Sequence, residues 1–125
     1  MLFRSVGCGA GMFLEKVSAG TDFAIGVDIN PDAVRRARAK GLTVTEQPIA
    51  ALNQSFDMIV LFEVLEHLSA PAEMLTSILD RLNPGGVLVL AVPNPAGYLK
   101  NQGLVLLDLP PHHATKWSRE TFSNL

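Results

Sequence analysis

Apolar residues in this chain fall into short continuous runs, separated by stretches where they recur every three or four positions. Residues 2–6 and 23–27 are short apolar runs of strand length, and 56–62 and 87–92 are runs apolar enough to be buried strands, the former on both faces. Residues 42–45 predict a further short strand. Between these runs the period changes. Residues 12–18 put Phe13, Leu14 and Val17 on one side of a short helix. A second helix has a marked start: Asn30 can cap it, Pro31 suits its first position and Asp32 its positive end. Ala33, Val34 and Ala37 form its inward stripe, Arg35, Arg36, Arg38 and Lys40 its outer face, and Gly41 stops it. Residues 71–82 predict a third helix, with Met74, Leu75, Ile78, Leu79 and Leu82 at helical spacing. Asn83-Pro84-Gly85-Gly86 predicts a turn before the last strand, and Pro93-Asn94-Pro95 closes that strand. Residues 104–107 suit a strand, a short helix or a packed loop, and another helix begins at Ser118.

Strands alternating with helices imply parallel pairing through right-handed crossovers, an α/β fold. A length of 125 residues fits one domain, 1–125, and a hydrophobic fraction of 48% supports a real core rather than disorder. The net charge of −2 gives no broad electrostatic case for nucleic acid or an anionic membrane. The single cysteine, Cys8, excludes an internal disulfide. No apolar stretch has the length of a membrane span and the first residues do not resemble a signal peptide, so a cytoplasmic protein is expected. The first strand begins at once and the chain stops soon after Ser118, so truncation at both ends is also expected.

Two features carry candidate chemistry. Gly7-Cys8-Gly9-Ala10-Gly11 follows a strand and opens a helix, where glycines let backbone amides approach a ligand closely. Such a turn can also serve merely to tighten a strand-to-helix connection. Asp28 ends the next strand, where a carboxylate can accept hydrogen bonds from a ribose diol. Its alternative role, capping the helix, is already filled by Asn30. Loop and acid together point to a ribose-bearing ligand. The glycine spacing is G-x-G-x-G rather than the G-x-G-x-x-G of dinucleotide sites, which disfavours a nucleotide-dependent oxidoreductase.

Val6-Gly7-Cys8-Gly9-Ala10-Gly11 resembles the first motif of the class I S-adenosylmethionine (SAM)-dependent methyltransferases. Gly26-Val27-Asp28-Ile29 resembles their second strand, Phe56-Asp57-Met58-Ile59-Val60 their fourth, and Leu82-Asn83-Pro84-Gly85-Gly86 the turn before their fifth. The resemblance implies a Rossmann-like, doubly wound parallel sheet of order 3-2-1-4-5, with SAM across the carboxyl ends of strands one, two and four. It implies that Gly7, Cys8 and Gly9 line the methionine part of SAM, Asp28 holds the ribose hydroxyls and Ile29 packs on the adenine. It places Gln47 and Ile49 near the adenine edge and Phe62 at the sulfonium. Two positions depart from the family: Ser5 stands where an acid usually helps hold the amino end of SAM, and Pro48 where an acid usually sits near the adenine.

Glu63-Val64-Leu65-Glu66-His67 follows the fourth strand. As a helix it would put Glu63, Glu66 and His67 on one face, either a divalent-metal site or an ordinary solvated surface. The segment resembles one found in small-RNA 2′-O-methyltransferases, which use a metal, and in ubiquinone-pathway O-methyltransferases. In the former a later His completes the site and an aromatic residue follows four positions on, a spacing matched here by His113 and Trp117. Glu63, Glu66, His67 and His113 are therefore the expected metal ligands, with Glu63 and His113 also candidate catalytic groups. A histidine acting as general base without metal is the alternative. The acceptor would be a small-molecule or RNA hydroxyl, and an exposed sheet edge would favour a homodimer. The rival to an active enzyme is a SAM-binding module without turnover.

Overall fold

The computed structural model describes residues 1–51, 53–94 and 112–124. Five parallel strands form one sheet: β1 (Leu2–Val6), β2 (Phe23–Val27), β3 (Val44–Thr45), β4 (Phe56–Phe62) and β5 (Leu82–Ala91), in the order β3-β2-β1-β4-β5. The crossovers carry α1 (Met12–Ser18), α2 (Pro31–Ala39) and α3 (Pro71–Leu79), and α4 (Arg119–Ser123) follows the sheet. The class I methyltransferase topology expected from the motifs is therefore the observed one.

Strand alternation divides the core in two. Phe3, Val44 and Val60 point to the face covered by α1 and α2, where they meet Leu14, Val34 and Ala37. Val6, Ile25, Ile59 and Leu61 point to the other face, where Leu75 and Ile78 of α3 cover them together with Leu65 and Trp117. The start of α2 follows the expectation: Asn30 Oδ1 accepts the Asp32 and Ala33 amides at 3.0 and 3.4 Å, with Pro31 at the first position.

Three boundaries are corrected. The third helix ends at Leu79 rather than at residue 82, because the Arg81 carbonyl already accepts the Phe56 amide at 2.8 Å and Leu82 pairs with Phe56 in the sheet. The third strand is Val44–Thr45 only. The turn at residues 83–86 lies inside β5 as an irregularity: pairing steps from Phe56↔Leu82 directly to Met58↔Val87, and Gly85 takes a φ of 79° within it. Asn83 holds this bulge by donating its Nδ2 to Asp57 Oδ1 at 2.7 Å. Residues 104–107, read as strand, helix or loop, lie outside the described residues.

One residue breaks the apolar logic of the core. Arg4 is 0% exposed in the middle of β1, and none of its three guanidinium nitrogens has a hydrogen-bond partner. Its charge lies over the Phe56 ring at 5.2 Å. Burial pushes its pKa down to about 10, with the charge of Arg81 adding to the effect.

Candidate active site at the carboxyl edge of the sheet

All five strands run parallel, so the segments after β1, β2, β3, β4 and β5 gather along one edge. The β1 strand ends in a loop whose backbone favours glycine, with φ of 67° at Gly7 and 53° at Gly9. Their surroundings differ. A Cβ on Gly7 would stand 2.4 Å from Val64 Cγ2, so this glycine lets the loop pack against the segment after β4. A Cβ on Gly9 would meet nothing within 4 Å, so the backbone there faces open space.

Asp28, at the end of β2, ties the edge together. Its Oδ2 accepts the Gly9 amide at 2.7 Å and its Oδ1 accepts the Asn30 amide at 2.9 Å. Ile29 beside it is 90% exposed, an apolar side chain standing over the edge with no core to pack in. Cys8 is half-buried, and loss of hydration, then the nearby Asp28 charge, raise its thiol to about 11, which keeps it protonated at neutral pH. Phe62, at the end of β4, meets the Phe13 ring edge-on at 4.9 Å. Gln47 is exposed and its amide donates to Thr45 Oγ1 at 3.1 Å. Ile49 is 3% exposed and packs in the α3-side core, within a 3-10 turn (Ile49–Ala51), so its side chain is committed below the edge.

The segment after β4 is not the expected α-helix. Glu63 takes a left-handed φ of 54°, rare for a side-chain-bearing residue, and Leu65–His67 form a 3-10 turn. The single helical face imagined for Glu63, Glu66 and His67 therefore does not exist. The fold nevertheless assembles a compact group by another route. Ligand atoms of Glu66, His67 and His113 all lie within 4.8 Å of one another, and Glu63 is outside that group. The His67 and His113 rings meet edge-on at 4.9 Å. Glu63 still senses the group: lost hydration raises its pKa first and the Glu66 carboxylate second, while His113 and His67 oppose them.

Glu66 is the unusual member. It is 2% exposed, and with Glu63 ionised neither carboxylate oxygen has a hydrogen-bond partner; a protonated Glu63 carboxyl is placed to donate to it. An unbonded buried carboxylate is costly unless a cation offsets it. His67 lies beside it. Its Nδ1–H donates to the His112 carbonyl, which can only accept, and its other ring nitrogen, Nε2, points to Glu66 Oε1 at 3.9 Å, so a proton on Nε2 or a cation between the two would offset the carboxylate. Pro93, Asn94, Thr115, Lys116 and Trp117 line a small cavity with Glu66 and His113. Thr115 and Val64 were not singled out from the sequence. Neither stands in a motif, and each matters through a contact between distant segments.

The family model described as a methyltransferase domain matches residues 5–125. The chain belongs to the class I SAM-dependent methyltransferase family. A ubiquinone biosynthesis O-methyltransferase from Methylococcus capsulatus is 35% identical to the domain over 100 residues, covering 71% of this chain and 42% of that protein. A protein of the same name from Cereibacter sphaeroides is 32% identical over 98 residues, 71% of this chain and 40% of its own length. The chain thus spans about 40% of the length of these curated relatives. Among solved structures, a SAM-dependent methyltransferase from Archaeoglobus fulgidus superposes with a TM-score of 0.80, at 24% identity, over 98% of this chain and 57% of that one. An amino pentose methyltransferase from Micromonospora echinaspora, solved with SAM bound, gives 0.66 at 28% identity over 73% and 42%. No helix among the described residues of this methyltransferase domain is long and apolar enough to cross a membrane.

Proposed function

We propose that residues 1–125 form the cofactor-binding core of a SAM-dependent methyltransferase that methylates a hydroxyl group of a small molecule or RNA, assisted by a divalent cation. One observation carries the reading: the same sheet edge holds the Gly9–Asp28 pairing and the Glu66–His67–His113 group, joined where Gly7 packs on Val64. Oxygen is favoured as the acceptor atom by the likeness to ubiquinone biosynthesis O-methyltransferases.

When bound, SAM supplies a methyl group on a positively charged sulfur, already a good leaving group for in-line displacement. The protein's task is positioning. The open backbone at Gly9 and the neighbouring Gly7 and Cys8 would line the methionine part. Asp28 would accept the ribose hydroxyls on the lone pairs that its two loop amides, one on each oxygen, leave free. Ile29 would cover the adenine, losing its exposure, with Gln47 nearby, and Phe62 would wall the sulfonium region. Ser5 offers no carboxylate to the amino end, so that end relies on loop carbonyls and weaker polar contacts.

The cation group fits a metal on its own chemistry: two imidazoles, one buried unbonded carboxylate, and a tautomer at His67 that leaves Nε2 available. A divalent ion held by Glu66, His67 and His113 would supply Lewis acidity toward the acceptor hydroxyl. Glu63, with its raised pKa, stands beside that group as a proton acceptor. A cytoplasmic location and a homodimer through a sheet edge belong to the same reading.

Calorimetry with S-adenosylhomocysteine and with a nicotinamide dinucleotide tests the cofactor assignment. Binding of the former alone is expected; preference for the latter would overturn it. Methyl transfer from labelled SAM to a catechol and to a 2′-hydroxyl of a short RNA then separates an enzyme from a binding module.

A further inference from the structure

Residues 112–117 are fastened to the 3-10 turn at Leu65–His67 by two backbone amides, by the His67 ring on the His112 carbonyl and by one side chain of their own, Thr115. The Thr115 amide donates to the Glu66 carbonyl at 3.1 Å, beside the Ala114 amide, which donates to the same oxygen at 2.7 Å. The Thr115 hydroxyl donates to the Leu65 carbonyl at 3.0 Å and accepts the Trp117 indole Nε1–H at 2.9 Å. A hydroxyl has one proton, so both bonds together fix its direction. Trp117 is itself immobilised: it is 6% exposed, shares the core with Leu65, and lies 5.2 Å from the Phe122 ring.

These bonds bear on the cation group because of where they fall in the chain. His113 lies two residues before Thr115, and Leu65 and Glu66 are the residues Thr115 grips. The backbone carrying His113 is thereby clamped to the backbone carrying Glu66, across a sequence separation of 50. No bond within either segment alone could bring the two ligands into register. We infer that Thr115, locked by Trp117, is the positioning residue that sets His113 against Glu66 and so governs the affinity of the Glu66–His67–His113 group for a divalent cation. The inference rests on the reading of that group as a cation site.

A shape-matched series separates this role from packing. Thr115→Val keeps the volume and removes the hydroxyl, leaving the Trp117 indole unpaired and the Leu65 carbonyl with the Leu68 amide alone. Thr115→Ser keeps both bonds. The chain is titrated with Mn²⁺ alone by calorimetry, and separately with S-adenosylhomocysteine. Mn²⁺ is chosen because a sulfur-seeking ion would also visit Cys8. Thr115→Val is expected to weaken Mn²⁺ binding roughly 10- to 100-fold, as removal of outer-shell partners does. Thr115→Ser restores it, and S-adenosylhomocysteine binding stays unchanged in both. Unaltered Mn²⁺ affinity in Thr115→Val overturns the positioning role and leaves the cation site standing. Failure of the unsubstituted chain to bind Mn²⁺ overturns both. Should Thr115→Val not fold, Trp117→Phe keeps an aromatic ring in the core and removes the donor along with the pyrrole part of the indole, and undiminished Mn²⁺ binding there overturns the inference.

Discussion

The Asp28 carboxylate accepts the Gly9 amide at 2.7 Å, so the acid at the end of β2 and the glycine loop after β1 are one unit. Asp28→Asn turns one of the two accepting oxygens into a donor, which must face either the Gly9 or the Asn30 amide. Loss of a charge-assisted bond of roughly 1.5–3 kcal/mol corresponds to about 10-fold or more in affinity. Calorimetry should show S-adenosylhomocysteine binding weakened by at least that factor, with circular dichroism unchanged.

Gly9→Ala separates backbone conformation from ligand access. The added methyl meets no protein atom, so only the positive φ opposes it, at roughly 1 kcal/mol. Stability measured in urea should fall by about that amount. Cofactor binding should fall much further, because the methyl occupies the space over the loop. Equal losses in both measurements would refute this account of Gly9.

Glu66→Leu is expected to stabilise the metal-free protein. The carboxylate is buried with two unbonded oxygens, and replacing such a group by an apolar one of similar size gains roughly 1–3 kcal/mol. The same variant should lose all stabilisation by added Mn²⁺. A thermal scan with and without the ion reads both effects.

Arg4→Met follows the same logic without a functional cost. The guanidinium has no hydrogen-bond partner, and its stacking over Phe56 offsets only part of its lost hydration. A gain of roughly 1–4 kcal/mol in urea unfolding is expected, with cofactor affinity unchanged. A loss of stability would show that the Phe56 contact outweighs the burial.

Asp57 sets part of the acid limit. Its Oδ2 accepts the Leu2 amide at 2.7 Å and its Oδ1 the Asn83 side chain at 2.7 Å, and these bonds hold its pKa below the ordinary carboxylate value. A depressed folded pKa gives stability that is present above the unfolded value, about 3.9, and lost as pH falls through the folded one. The thermal midpoint of Asp57→Asn should therefore fall less steeply below about pH 4 than that of the parent.

The sheet was legible because parallel strands read as largely apolar runs, and Asn30, Pro31 and Gly41 mark one helix at both ends. The overshoot of α3 to residue 82 came from counting apolar spacing alone. Leu82 fits the helical period, yet the Phe56 amide bonded to Arg81 commits it to the sheet. Glu66, His67 and His113 were found by residue type, but the helix thought to align them is replaced by a left-handed Glu63 and a 3-10 turn. Thr115 was missed because its importance lies in two bonds to Leu65 and Glu66, which sequence spacing does not relate to it, and in the Trp117 indole that fixes its hydroxyl.

The clamp at Thr115 also fixes an order of assembly. The glycine loop, Asp28 and the Val64 contact all involve residues that leave the ribosome before the 112–117 segment is made. A nascent chain can therefore close its cofactor half first and hold Glu66 in an unfinished site, with the acceptor half locking only when Thr115 arrives.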